Sequence, residues 1–288
     1  MAAGLCPGAA FLRQPRRRGR IFGGKFNDPS RSGLLATAAF YIAAKSTAAL
    51  AEPTPECNVG PSIGSTECGV DSTATASGAT AVGNLAVASG PISTAAGQNS
   101  TASAGGSSSY GSLSVASGIA STALGHNSDA TALGATAVVV SAQATDIGAS
   151  SLGRISNAAG LNSTSVGSES DATAERSTAV GHLSQATGTQ SVAVGESSVA
   201  SGTIATASGQ ASVASAQASS AYGSQAIASG IASTALGHNS DATALASTAV
   251  VSAQATAAAA NALGRLANAA HAGSLPSALI RRRLRQTR

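Results

Sequence analysis

The chain contains no Trp and only one Met, three Cys, three Tyr and four Phe in 288 residues. An ordinary globular core of this length needs many more large side chains, so that class is excluded at the outset. Charge is also scarce, at 10% of residues, and it is unevenly placed. Residues 1–45 carry eight Lys or Arg against one Asp, and residues 281–288 carry five Arg. Between Glu52 and Gly273, three Arg stand against eleven Asp or Glu, a net charge of −8. A segment of that sign repels phosphate, which argues against a nucleic-acid partner. No GxSxG elbow, paired catalytic carboxylates or phosphate loop occurs, and the calcium-binding GGxGxD motif is absent. No enzymatic activity, cofactor or metal is therefore expected.

The N-terminus reads as an export signal spanning residues 1–51. A basic stretch, RQPRRRGR, precedes an eleven-residue apolar run from Leu34 to Ala44 and the small-residue end AALA. Cleavage between Ala51 and Glu52 fits the small-x-small rule. The run is too short for a permanent span, so no membrane-spanning segment is expected in the mature chain. An organelle transit peptide or an upstream false start remain alternatives, because fifty-one residues is long for a signal. Residues 52–64 then form a mature N-terminal segment. Cys57 lies there and Cys68 follows eleven residues later. In an oxidising compartment the two could pair and pin the first coil; two free thiols is the alternative.

What the chain has in abundance is Ala, Ser, Thr and Gly in strict phase. From Ser65 to Ala246 it divides into thirteen fourteen-residue units without a slip, among them STAVGHLSQATGTQ and SVAVGESSVASGTI. Position 5 is glycine in twelve units: Gly69, Gly83, Gly97, Gly111, Gly125, Gly153, Gly167, Gly181, Gly195, Gly209, Gly223 and Gly237, with Val139 the exception. Position 10 is Ala in all thirteen, and positions 1 and 8 are always Ser or Ala. A disordered chain has no reason to hold a residue at one phase.

Within each unit two short runs alternate with period two, which predicts strands. Two all-small faces can meet only at close range. The pattern therefore predicts an all-β parallel β-roll in which each unit makes one coil of two strands, with the position 5 glycines at the turns. Position 4 would point outward as an apolar stripe of Val82, Tyr110, Leu124, Val138, Leu152, Val166, Val180, Val194, Tyr222 and Leu236, interrupted by Ala96 and Ser208. A stripe of this kind asks for a partner, and self-association supplies one.

The unit SxAxGxxSxAxGxx resembles the head repeat of trimeric autotransporter adhesins of the YadA type. SVAVGESS (191–198) is the nearest local match to that family's signature, and STALGHNS (121–128 and 233–240) and STAVGHLS (177–184) are close variants. The resemblance covers about 180 of the 288 residues. It implies a left-handed parallel β-roll, a homotrimer, and attachment to host matrix proteins such as collagen, to cells or to other heads, at the outer-membrane surface or outside the cell. The family's neck, coiled-coil stalk and barrel anchor are not recognisable here: after Ala246 there are neither heptads nor aromatic-tipped alternating strands. Residues 247–273 read as degenerate repeats and 274–288 as a disordered basic tail, as in a head separated from its anchor.

Other readings remain beside this one. His126, His182 and His238 share position 6. Four coils, roughly 19 Å, separate consecutive members, too far to share one ion within a chain. Position 2 is Thr in nine of the thirteen units, a ladder of the kind that ice-binding solenoids present. A structural spacer without a ligand is the third possibility. ASGIASTALGHNSDATAL occurs identically at 116–133 and 228–245, an offset of 112 residues, which is eight whole units.

Overall fold

A computed structural model describes residues 57–275. The export signal read at 1–51, its cleavage point between Ala51 and Glu52, and all but the first two residues of the basic tail lie outside the described residues. The described chain folds as a parallel β-solenoid of fifteen coils with no helix, built from one sixteen-stranded and one fifteen-stranded sheet. In each regular coil, positions 2–4 form a strand of the first sheet and positions 9–10 a strand of the second, as in Thr122–Leu124 and Asp129–Ala130. Consecutive coils pair in parallel at an offset of fourteen residues, for example Thr122 with Thr136 and Asp129 with Gln143. At strand spacing, fifteen coils make a rod of roughly 70 Å.

The alternation read from the sequence decides which side faces inward. Positions 1, 3, 8 and 10 are buried throughout the middle of the roll, and among the described residues every side chain of the buried core is Ala or Ser. Buried hydroxyls need partners. Position 8 serines find one in the carbonyl of the position 5 residue three back, as Ser184 Oγ donates to Gly181 O at 2.9 Å. Position 3 serines cross the interior: Ser165 Oγ donates to Ser170 O at 2.7 Å and lies 2.6 Å from Ser170 Oγ.

Position 5 glycines have φ between +102° and +154°. A Cβ at Gly181 would also stand 2.6 Å from the carbonyl oxygen of Gly195 in the next coil. Glycine is thus required twice over, by conformation and by the close stacking of turns. Val139, the one other residue at this position within the thirteen regular units, takes φ 88°.

Two further left-handed positions occur in every coil, at 7 and 14, and they hold Leu, Ile, Gln, Glu or Ala as readily as Gly or Asn; Ile155 has φ 57° and Ile204 φ 60°. The compensation is a hydrogen bond between coils. Ile155 N–H donates to Val140 O at 3.0 Å, and Ile204 N–H to Thr189 O at 2.9 Å. Each such bond contributes about 1 kcal/mol, comparable with the cost of about 1–2 kcal/mol for a non-glycine residue in this region.

The solenoid continues through residues 247–273, so the coils number fifteen rather than the thirteen of the regular repeat. The residue lost after Ala246 shortens one coil to thirteen. Thr248 pairs with Thr234 at an offset of fourteen, whereas Gln254 pairs with Asp241 at thirteen. The deletion is absorbed in the turn between the strands Thr248–Val250 and Gln254–Ala255, and neither strand slips.

The first coil is closed by three devices. Strand β1 (Cys57–Val59) runs antiparallel to β2 (Thr66–Cys68), the only antiparallel pairing among the described residues. Cys57 and Cys68 face each other in that register and are joined by a disulfide, S–S 2.02 Å. At core position 3, where other coils carry Ala or Ser, stands Glu67; its Oε1 accepts the N–H of Ala74 in β3 (Thr73–Ala74) at 2.7 Å, a donor that in later coils is met by a preceding coil. A disulfide closing a loop of this length contributes roughly 3 kcal/mol. Because coils touch only their neighbours, the double substitution Cys57→Ser, Cys68→Ser should loosen the first coil alone. Amide exchange should accelerate at Glu67 and Ala74 and stay unchanged at Ala186.

Candidate functional site

With the interior filled by small side chains, chemistry is confined to the outer faces. The first sheet presents positions 2 and 4. Register pairs place the position 4 residues one above another, Tyr110 beside Leu124, Leu124 beside Val138, and Val138 beside Leu152. Val82, Tyr110, Leu124, Leu152, Val194, Tyr222 and Leu236 are exposed, and Val138, Val166 and Val180 are half-buried. Leu263 extends the same row at 47% exposure. Position 2 is half-buried in every regular unit. The first face is therefore a ridge of larger apolar groups beside a recessed Thr row, a relief that departs from the flat plane an ice surface needs.

A second apolar row escaped the sequence reading. At position 13, on the turn from the second sheet back to the first, Ile119, Leu133 and Ile147 occupy consecutive coils and are 47–61% exposed. Ile231 and Leu245 repeat the row eight coils later, at 53% and 56%. The fourteen-residue phase contains the signal, but only when the turn positions are read as columns.

The second sheet presents position 9, and here the residues are banded. Asp129, Gln143, Asn157, Asp171 and Gln185 follow one another in register, then Val199, Val213 and Ile227, then Asp241, Gln254 and Asn268. Beside the polar band, position 7 residues form the wall of an open groove of about 360 Å³ that includes Gln143, Ile155, Asn157, Asp171, Leu183 and Gln185. Arg154 forms an ion pair across adjacent coils with Glu169 at the rim.

Burial raises the carboxyl of Asp129 above its ordinary value, because desolvation penalises the charged form. A raised folded-state value means that the folded chain binds the proton more tightly than the unfolded chain. Stability at this site is thus lower above the raised pKa, recovers as pH falls through it, and levels off below the unfolded value. Asp129→Asn should raise the melting temperature at pH 7, and the difference from the parent should close by pH 3.

His126, His182 and His238 stand at turn position 6, and the Nδ1 of His182 lies 3.1 Å from Ser168 O. Among the described residues no group of three or more His, Cys, Asp or Glu is placed to hold a metal ion. No helix among them is long and apolar enough to cross a membrane.

A family model described as the YadA head domain repeat, two copies, matches residues 116–138, 172–198, 193–215 and 228–250. The chain carries YadA-type head repeats. No curated protein matches it. The first and last of the four matches contain the two identical eighteen-residue segments, so the copied block consists of head repeats. These repeats place the chain with adhesins by type, and the outer faces described above are the surfaces with which a head of this kind can work.

Proposed function

We propose that this chain is the head of an exported adhesin, acting at the cell surface or outside the cell as a homotrimer of left-handed rolls. The observation that carries this reading is the position 4 ridge. It runs along the length of the first sheet, leaves Leu124 and Leu236 nearly half exposed, and has no covering element within the described chain. An apolar row of this length beside head repeats is best explained as a surface that other copies cover. The repeated outer faces that remain open would then present many weak sites at once to host matrix proteins such as collagen, to cells or to other heads, with avidity in place of a pocket.

Sedimentation of the full chain tests this directly. A trimer that is lost in Leu124→Lys, Leu152→Lys, with attachment to a collagen-coated surface falling in parallel, supports the reading. A stable, well-folded monomer of the parent chain overturns it.

A further inference from the structure

The amide and carboxylate band on the second sheet is not explained by folding. At the same column three consecutive coils carry Val199, Val213 and Ile227, residues that suit a strand better than Asn, Asp or Gln do. Yet the band is uninterrupted over five coils, Asp129 to Gln185, and it recurs as Asp241, Gln254 and Asn268. The groove recurs with it. Ser141, Gln143, Ile155 and Asn157 line the first, and Ser252, Gln254, Leu266 and Asn268 line the second. Each pair is related by 111 residues, which is eight coils once the shortened coil is allowed for. In the second band the Oδ1 of Asp241 is buried without a hydrogen-bond partner.

We infer that these two grooves are equivalent binding sites for a neutral, linear glycan lying along the axis of the roll. Carboxamides offer both donors and acceptors, and carboxylates offer acceptors; together they match hydroxyl groups, which are both at once. The column presents one such side chain at every strand step of about 4.8 Å, a polar comb along which an extended chain of sugars can lie. Asp171 and Glu169 border the first groove, and its one nearby cation, Arg154, is engaged by Glu169. An anionic polymer would meet repulsion there. An extended peptide could not add as a strand, since the backbone groups of this sheet are already spent on neighbouring coils, as where Gln143 N–H donates to Ser156 O. The aliphatic wall of Ile155 and Leu183 suits the apolar faces of sugar rings. Two grooves on one chain, roughly 38 Å apart at strand spacing, would let one long glycan engage both.

The ligand class deepens the adhesin reading and rests on it for purpose, while the geometry belongs to a single chain. Calorimetric titration of the full-length chain with a panel of neutral linear hexasaccharides (cello-, chito-, malto-, manno- and β-1,3-gluco-hexaose) tests it, with a heparin hexasaccharide as the anionic counterpart. At least one neutral probe should bind at two sites per chain, with an affinity little changed between 50 and 500 mM salt, as about 8 Å or less of screening length leaves hydrogen bonding untouched. Gln143→Val with Asn157→Val should remove one site, and Gln254→Val with Asn268→Val the other. Valine is native to this column, so both variants should melt with the parent. If no neutral probe binds, if heparin alone binds, or if neither variant changes the stoichiometry, the inference is overturned. Sedimentation of the same samples reads the oligomeric state separately, so that failure of the trimer and failure of the grooves are told apart.

Discussion

Ala179→Leu should cost the roll about 3 kcal/mol or more, whereas Ala179→Ser should be close to neutral. Ala179 is fully buried at position 3, stacked between Ser165 and Ala193 in a sheet whose inner face meets another all-small face. Leucine adds three carbons where the described interior holds nothing larger than Ser. Overpacking of ordinary cores already costs typically about 1–3 kcal/mol, and here no larger neighbour can be displaced to make room. Serine adds one oxygen for which a partner is in place. Ser165, one coil earlier, bonds Ser170 O and Oγ, and Ser184 stands in the same relation to residue 179. Chemical denaturation measures the difference between the two variants. Because each coil contacts only its neighbours, hydrogen exchange in Ala179→Leu should show a local break with the distant coils still protected. Uniform loss of protection along the whole rod would contradict the quasi-one-dimensional account.

The second large effect concerns glycine, and the order of severity is the opposite of what overlap alone suggests. Gly181→Ala should destabilise by about 3 kcal/mol. Its φ of 134° lies where L residues are strained, its Cβ would stand 2.6 Å from Gly195 O, and both conditions recur in the coils on either side. Gly118→Ala should lose less than about 1 kcal/mol, even though a Cβ there would overlap the Ala132 carbonyl oxygen more severely. Position 12 has an alternative turn form. Where it is Ala104, Ala174 or Ala216, the position 1 serine three residues on donates to its carbonyl, as Ser107 does at 2.8 Å. Where it is Gly90, Gly118, Gly188 or Gly230, the hydroxyls of Ser93, Ser121, Ser191 and Ser233 are buried without partners. Gly118→Ala can adopt the alanine form, and Ser121 then gains the bond it lacks, which offsets part of the rearrangement. Thermal unfolding of the two variants side by side decides the ranking.

The inner face of the roll was legible in the residues because it admits no choice: only Ala and Ser fit positions 1, 3, 8 and 10 in the interior coils. The parallel coil with two short strands followed from that restriction together with the glycine phase. The turns were only partly legible. The left-handed residues at positions 7 and 14 carry no common side chain, since the conformation is imposed by backbone bonds between coils; Leu85, Glu169 and Gln225 satisfy it equally. Glu67 was invisible for the opposite reason, because a single deviation from the core rule reads as noise until its carboxylate is found on Ala74 N–H. The coil after Ala246 looked like decay, yet the missing residue fell in a turn and not in a strand. The outer columns were partly read at position 4 and passed over at positions 9 and 13, where function is confined to bands of a few coils instead of running the full length.

The antiparallel β1 strand bears on how such a molecule can change its size. Open edges of parallel sheets recruit further strands, and a rod of stacked coils would otherwise template a second rod at its tip. At this tip β1 occupies the edge of one sheet and the Glu67 carboxylate occupies a donor on the other. No coil can be appended there without discarding the cap and its disulfide. Additional reach at this end has to come from coils inserted behind the cap, in whole steps that keep every column aligned, and the two copies eight coils apart are spaced as such an internal lengthening would leave them.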